Sequence, residues 1–74
     1  MRPFKDWIIR KLKNMCDDYG ISTVKVLKYT HPDFIIKPLC EYSGIDYYES
    51  RDDVYKILKD LLEEVQLESV WKYV

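Results

Sequence analysis

The sequence predicts a small α+β domain of three helices and a short sheet, and two observations carry most of this prediction. Between Val54 and Val65, apolar residues recur at the i, i+3, i+4, i+7 spacing of one helical stripe. From Val70 onward the pattern changes to β-branched and aromatic residues, which is typical of a strand. A helix with an apolar stripe, followed at once by a strand, indicates an α+β fold in which the helices cover a small sheet.

The first helix is predicted over residues 4–19. One face of this helix carries its apolar residues: Phe4, Ile8, Leu12, Met15 and Tyr19. Pro3 suits the first position of a helix, and Gly20 suits the left-handed residue that follows its end.

The middle of the chain is harder to interpret. Val24 and Val26 alternate with Lys25, which predicts a short strand over residues 22–28, while a short helix capped by Ser22 is the alternative. A second helix is predicted over residues 34–43, distorted near Pro38 because proline removes an internal hydrogen bond. Gly44 should end it.

The long helix is predicted to begin at Ser50, after a linker over residues 45–49. Ser50 is a good N-cap, and Asp52 and Asp53 place negative charge at the positive end of the helix dipole. Leu58 and Leu61 should be buried against Ile8, Leu12 and the second helix. The stripe has six members: Val54, Ile57, Leu58, Leu61, Leu62 and Val65. A strand over residues 69–74 should follow, and we detect no internal repeat.

Length, composition and charge limit the classes of protein to which this chain can belong. Seventy-four residues form one domain, residues 1–74, and an apolar content of 47% is typical of a globular chain. The net charge of −1 divides into +4 for residues 1–30, −3 for residues 31–50 and −2 for residues 51–74. We expect a cytoplasmic protein without a membrane segment, because no signal peptide or long apolar run is present.

The residues that could support chemistry are few. Cys16 and Cys40 are expected to be reduced thiols, although a disulfide between them stays open. His31 is the only histidine, and with the two cysteines it supplies too few ligands for a zinc site. We therefore expect no metal, no cofactor and no enzyme activity.

The order of elements and two segments, residues 39–45 and 53–64, resemble winged helix-turn-helix DNA-binding proteins, the small archaeal, bacterial and viral regulators. In this resemblance, residues 39–45 correspond to a helix and its turn, and residues 53–64 correspond to the recognition helix. The resemblance implies a winged-helix-like fold, here with a truncated wing, that binds duplex DNA and regulates transcription.

The resemblance also implies a set of DNA-contacting residues. The outward face of the recognition helix would enter the major groove with Arg51, Tyr55, Lys56 and Lys59. Three basic residues elsewhere would contact phosphates: Lys11, Lys13 and Lys25. The alternative for all of these is a solvated surface of mixed charge.

Two functional hypotheses follow. The first is a winged-helix-like regulator that binds duplex DNA as a homodimer, and the unpaired edge of the strand over residues 69–74 favours the dimer. The second is a protein-interaction module, such as a small viral or plasmid-borne modulator, which uses the same fold without DNA. Asp52 and Asp53 favour the second, because carboxylates at the start of the long helix would repel phosphate.

Overall fold

The computed structural model describes residues 3–72, with side chains over residues 3–65, and within this range the chain is helical with no strand. Four helices follow one another: α1 (Pro3–Asp18), α2 (Thr23–Tyr29), α3 (Pro32–Ser43) and α4 (Tyr47–Lys72). The predicted α+β class with a small sheet and a truncated wing is therefore wrong, and the described fold is an all-helical bundle.

The first helix is confirmed over nearly the predicted range. Its buried side chains are Ile8, Leu12, Met15 and Cys16. The predicted ends of its apolar face lie in solvent, since Phe4 and Tyr19 are both exposed. The buried face is therefore shorter than the stripe suggested, because the ends of α1 extend past the core.

α2 occupies the segment predicted as a strand over residues 22–28. The alternative interpretation is the correct one: the Ser22 side chain accepts a hydrogen bond from the backbone N–H of Lys25, at 3.4 Å, and caps a seven-residue helix. Helical geometry buries Leu27 and half-buries Val26. β-Branched residues disfavour a helix by only a few tenths of a kcal/mol each, roughly, so this burial decides the outcome.

The second predicted helix is confirmed and begins two residues earlier, at Pro32. His31 is its N-cap, with Nδ1 accepting a hydrogen bond from the N–H of Asp33 at 3.1 Å. α3 continues through the exposed Pro38, which has no N–H to donate to the carbonyl of Phe34.

α4 differs from the prediction at both of its ends. It begins at Tyr47, not at Ser50, and the carboxylate of Asp46 accepts a hydrogen bond from the N–H of Glu49 at 2.9 Å. The helix continues to Lys72 and so replaces the predicted strand over residues 69–74, of which 73 and 74 lie outside the described range. A strand needs a partner for its backbone groups, whereas each residue added to a helix finds its partner four residues back.

The core receives residues from all four helices. Val54, Ile57 and Leu58 from the predicted stripe are buried in it, whereas the later members of the stripe, Leu61, Leu62 and Val65, are half-buried. The prediction that Leu58 joins Ile8 and Leu12 in the core is confirmed, and the prediction that Leu61 is fully buried is wrong. The remaining core residues are Met15, Cys16, Leu27, Ile35, Ile36, Leu39 and Cys40.

The turns after α1 and α3 share one geometry at an offset of 24 residues, which the sequence analysis overlooked. Gly20 and Gly44 both adopt positive φ, 69° and 71°. The N–H after each glycine reaches back to a cysteine carbonyl, from Ile21 to Cys16 at 2.9 Å and from Ile45 to Cys40 at 3.1 Å. Both turns are thus Schellman motifs.

The next residue of each turn caps the helix that follows. These residues are Ser22 and Asp46, again 24 apart, and each accepts a hydrogen bond from the N–H three residues later. The described chain is therefore two helical hairpins, α1–α2 and α3–α4, built on the same turn.

Candidate interaction surface

The seven residues predicted to contact DNA are divided among several parts of the described surface. Arg51 and Tyr55 line a cleft with Asp33 and Asp52, and Lys56 lines a different one. Lys25 lies in a third groove, on α2. Lys13 and Lys59 are exposed and line none of these three, and Lys11 is half-buried.

Two of the predicted contacts are engaged elsewhere. Tyr55 is half-buried and packs against the core. The ammonium of Lys11 lies 5.5 Å from the centroid of the Trp7 ring, a cation–π contact within α1. Both side chains therefore already have contacts within the fold.

The exposed side of α4 is acidic over residues 47–65. Three cations, Arg51, Lys56 and Lys59, share it with six exposed carboxylates: Glu49, Asp52, Asp53, Asp60, Glu63 and Glu64. The Nε of Arg51 lies 4.0 Å from Asp52 Oδ1, an exposed pair of little energetic weight. A surface with this charge repels a phosphate backbone.

α2 presents a surface of different character. Five exposed residues make up what we call the α2 surface: Ile21, Val24, Lys25, Lys28 and Tyr29. The apolar members are well exposed, with Tyr29 at 81%, Ile21 at 49% and Val24 at 46%. Helical periodicity explains the arrangement, since Leu27 faces the core and the other side of the same short helix must face outward.

A groove of about 570 Å³ runs along this surface. Ile21, Lys25 and Tyr29 line it at successive four-residue intervals, and Gly20, Ser22, Val26 and Thr30 complete it. No carboxylate lines the groove, and residues 19–30 contain two lysines and no acidic residue. The groove therefore combines apolar side chains with a single positive one, Lys25.

The nearest carboxylate before this segment, Asp18, is already engaged. The hydroxyl of Tyr42 donates a hydrogen bond to Asp18 Oδ2 at 2.6 Å and joins the C-terminal ends of α1 and α3. This bond to a charged acceptor raises the pKa of the Tyr42 phenol above its ordinary value.

The cysteines and the histidine have structural roles. Cys16 and Cys40 are free thiols with no exposed surface. Burial, with a smaller contribution from Asp46, raises the pKa of the Cys40 thiol, which disfavours the reactive thiolate. His31 is exposed, and its Nδ1 accepts the cap hydrogen bond from the N–H of Asp33 and lies 3.5 Å from the carboxylate of the same residue.

Two kinds of feature are absent from the described residues. No group of three or more histidine, cysteine, aspartate or glutamate side chains is placed to hold a metal ion. None of the four helices combines the length and the apolar character needed to cross a lipid bilayer.

The candidate site predicted from the sequence lies mainly on α4 and includes little of the α2 surface. Of the five residues, only Lys25 was among the predicted contacts. The helical cap at Ser22 was the signal that could have revealed the rest, because a helix over residues 23–29 places Val24, Lys28 and Tyr29 on its outward side.

Comparison of the chain with models of known protein families, with curated proteins and with solved structures finds no match.

Proposed function

We propose that this chain is a small helical protein-interaction module that binds a partner protein through the α2 surface. The observation that supports it best is the grouping of three exposed apolar side chains on and just before a seven-residue helix: Ile21 and Tyr29 line the groove, and Val24 is exposed on the same helix. Single exposed apolar residues are ordinary on a protein surface, but a contiguous apolar patch marks an interaction site.

The way α2 is held in the fold supports the same proposal. It contributes one fully buried residue, Leu27, and packs against α1 and α4. Its outer side is therefore not needed for the core. Tyr29 adds a large, nearly rigid aromatic group, the type of side chain that most often anchors a protein interface.

Duplex DNA is the second candidate ligand. α3 and α4 are joined by the three residues 44–46, with Gly44 in the left-handed conformation, and a short connection with glycine is typical of a helix-turn-helix. The acidic outward side of α4 argues against this ligand.

The predicted homodimer was based on the unpaired edge of a strand over residues 69–74. Because α4 continues to Lys72, that edge no longer supports the dimer, which stays a prediction.

The proposal includes a cytoplasmic location. Both cysteines are free thiols, which fits a reducing compartment. It includes no catalytic step, because the two buried thiols and the exposed His31 are not placed for one.

The test is photo-crosslinking at two equally exposed tyrosines. Tyr29 on the α2 surface is 81% exposed, and Tyr48 on α4 is 78% exposed, so the second is a matched control for the first. Each is replaced in turn by a benzoylphenylalanine, and the protein is irradiated in the cells that produce it. Adducts are resolved by mass before and after nuclease treatment.

We expect a discrete protein adduct at position 29 that nuclease leaves intact, and no comparable adduct at position 48. Equal labelling at both positions, or no protein adduct at position 29, would contradict the proposal. An adduct that nuclease removes would favour DNA in its place.

A further inference from the structure

We infer that the partner of the α2 surface is an acidic amphipathic segment of another protein, whose apolar side chains occupy the groove while its carboxylates pair with Lys25 and Lys28. This inference rests on the proposed function, since it names the chemistry of the partner at the same surface. Three features of the α2 surface support it: the order of its apolar and charged residues, the charge around the groove and the length of the helix.

Apolar and basic side chains are interleaved on α2. Lys25 lies between Ile21 and Tyr29 at four-residue spacing, and Lys28 follows Val24 at the same spacing. Residues four apart on a helix are neighbours on its surface, so each lysine stands beside an exposed apolar side chain. A ligand that covers the apolar groups must therefore place its own charged groups within reach of the lysines.

The lysines are available to such a ligand. Among the described side chains neither Lys25 nor Lys28 belongs to an ion pair, and no carboxylate lines the groove. Opposite charge on the partner would steer its approach and set its register along the groove. A partner with basic residues would instead be rejected, because like charges placed together at an interface repel each other.

A second copy of this chain fits the surface poorly. Two α2 surfaces packed face to face around a two-fold axis would bring four lysines together, since such an interface pairs a patch with itself. Packing the α2 surface of one copy on the acidic α4 of another would join different patches and give a ring or an open chain of molecules, not a two-fold dimer. A separate acidic segment therefore fits the α2 surface better than a symmetric pair of copies.

A nucleic acid fits poorly for a different reason. Its phosphates would satisfy the two lysines, but they would leave Ile21, Val24 and Tyr29 without apolar contact. Non-specific binding to nucleic acid draws mainly on many phosphate contacts, and residues 19–30 supply two lysines. An amphipathic polypeptide would contact both the lysines and the apolar side chains of the α2 surface.

The size of the surface sets the size of the ligand. Seven helical residues span about 10 Å at 1.5 Å per residue, which corresponds to about two turns of a partner helix. A segment with apolar residues at i, i+3, i+4 and i+7 covers this length, as in other helix-in-groove complexes.

Three synthetic peptides test the inference. The first has leucine and phenylalanine at i, i+3, i+4 and i+7 and glutamate at most other positions. The second keeps the apolar residues and replaces glutamate with lysine, and the third keeps glutamate and replaces the apolar residues with alanine. Each is titrated into the isotopically labelled chain, and the backbone amide shifts are followed by NMR.

We expect only the first peptide to bind, with its shifts concentrated on residues 21–29. The double variant Lys25→Glu, Lys28→Glu should weaken binding at least about tenfold, because two attractive contacts become repulsive. The double variant Lys13→Glu, Lys59→Glu changes the net charge equally at two other exposed positions and should bind within about twofold of the unsubstituted chain. Tyr29→Ser should also weaken binding without unfolding the chain, since that side chain is exposed.

Each of four results would overturn the inference: equal binding of the lysine peptide, equal binding of the alanine peptide, equal weakening by the two double variants, or no shift with the first peptide at about 1 mM. If the peptides fail while crosslinking at position 29 still captures a protein, the partner chemistry is wrong and the interaction surface stands. If both experiments fail, the proposed function fails as well.

Discussion

Tyr42 and Asp18 form the one hydrogen bond between side chains of different helices that we find among the described residues. They are 24 residues apart, so they occupy equivalent positions in the two helical hairpins. The bond therefore ties the turn of one hairpin to the turn of the other, and it is sensitive to pH because a phenol must keep its proton to donate.

The sign of this pH dependence follows from the pKa. The Asp18 carboxylate raises the pKa of the Tyr42 phenol in the folded state. Between the ordinary tyrosine value, about 10, and the raised value, the folded chain holds a proton that the unfolded chain has lost. The stabilisation by this bond is present below pH ~10 and is lost as the pH rises through the folded pKa.

We expect Tyr42→Phe to lower the free energy of unfolding at pH ~8 and to lower it by less at pH ~11, because the bond is weakened in both proteins at high pH. Urea titrations of both proteins at the two pH values measure this. Tyr48→Phe is the control, since the described residues offer its hydroxyl no hydrogen-bond partner. A difference between Tyr42→Phe and the unsubstituted chain that grows with pH would contradict the assignment.

At the scale of the element, the N-caps decide where helices begin. Ser50 and Asp46 are both good N-cap residues, and Ser50 was the predicted one because the acidic pair Asp52 and Asp53 follows it within the first helical turn. The structure uses Asp46, because the Schellman turn at Gly44 ends α3 two residues earlier and the next helix starts at once. Ser50 thereby becomes a half-buried residue in the first turn of α4.

We expect Asp46→Ala to lower the free energy of unfolding by about 1 kcal/mol, within the usual range of ~0.5–2 kcal/mol for the loss of a cap. Ser50→Ala should change it by less than ~0.5 kcal/mol, since Ser50 caps nothing. Chemical denaturation at neutral pH checks both, with exposed Asp52→Ala as the control for lost charge. The opposite order of the two variants would place the start of α4 at Ser50.

At the scale of the whole molecule, stability depends on a core shared by four helices. α3 and α4 pack on each other most closely, α1 packs on both, and α2 is held against α1 and α4. Leu58 lies in this core with 1% of its surface exposed, whereas Leu61 is half-buried one turn further along. The burial of the apolar stripe thus decreases along α4 towards its C-terminal end.

We expect Leu58→Ala to cost ~2–5 kcal/mol, the range for truncating a buried leucine, because the core cannot fully close the cavity. Leu61→Ala removes the same atoms from a half-buried site and should cost clearly less. Urea midpoints of the two variants give the comparison. Equal losses would show that both leucines are equally enclosed, as the sequence analysis predicted.

Local chemistry made several features predictable. The ends of α1 and α3 could be placed because glycine adopts positive φ without the steric cost that other residues meet, and Gly20 and Gly44 follow long helical stripes. The buried residues Val54 and Leu58 were predictable because α4 repeats its apolar residues over several turns. These features depend on residues close together in the chain.

The sequence by itself therefore determined where α1 and α3 end and which side of α4 meets the core over residues 54–58. Only the tertiary structure decided the state of residues 22–28, because seven residues are too few for local preference to exceed the gain from burying Leu27. The helical state of this segment also determined which side chains form the α2 surface. A strand would have placed Val24 and Val26 on one side, whereas the helix turns them about 200° apart and leaves Val24 in solvent beside the lysines.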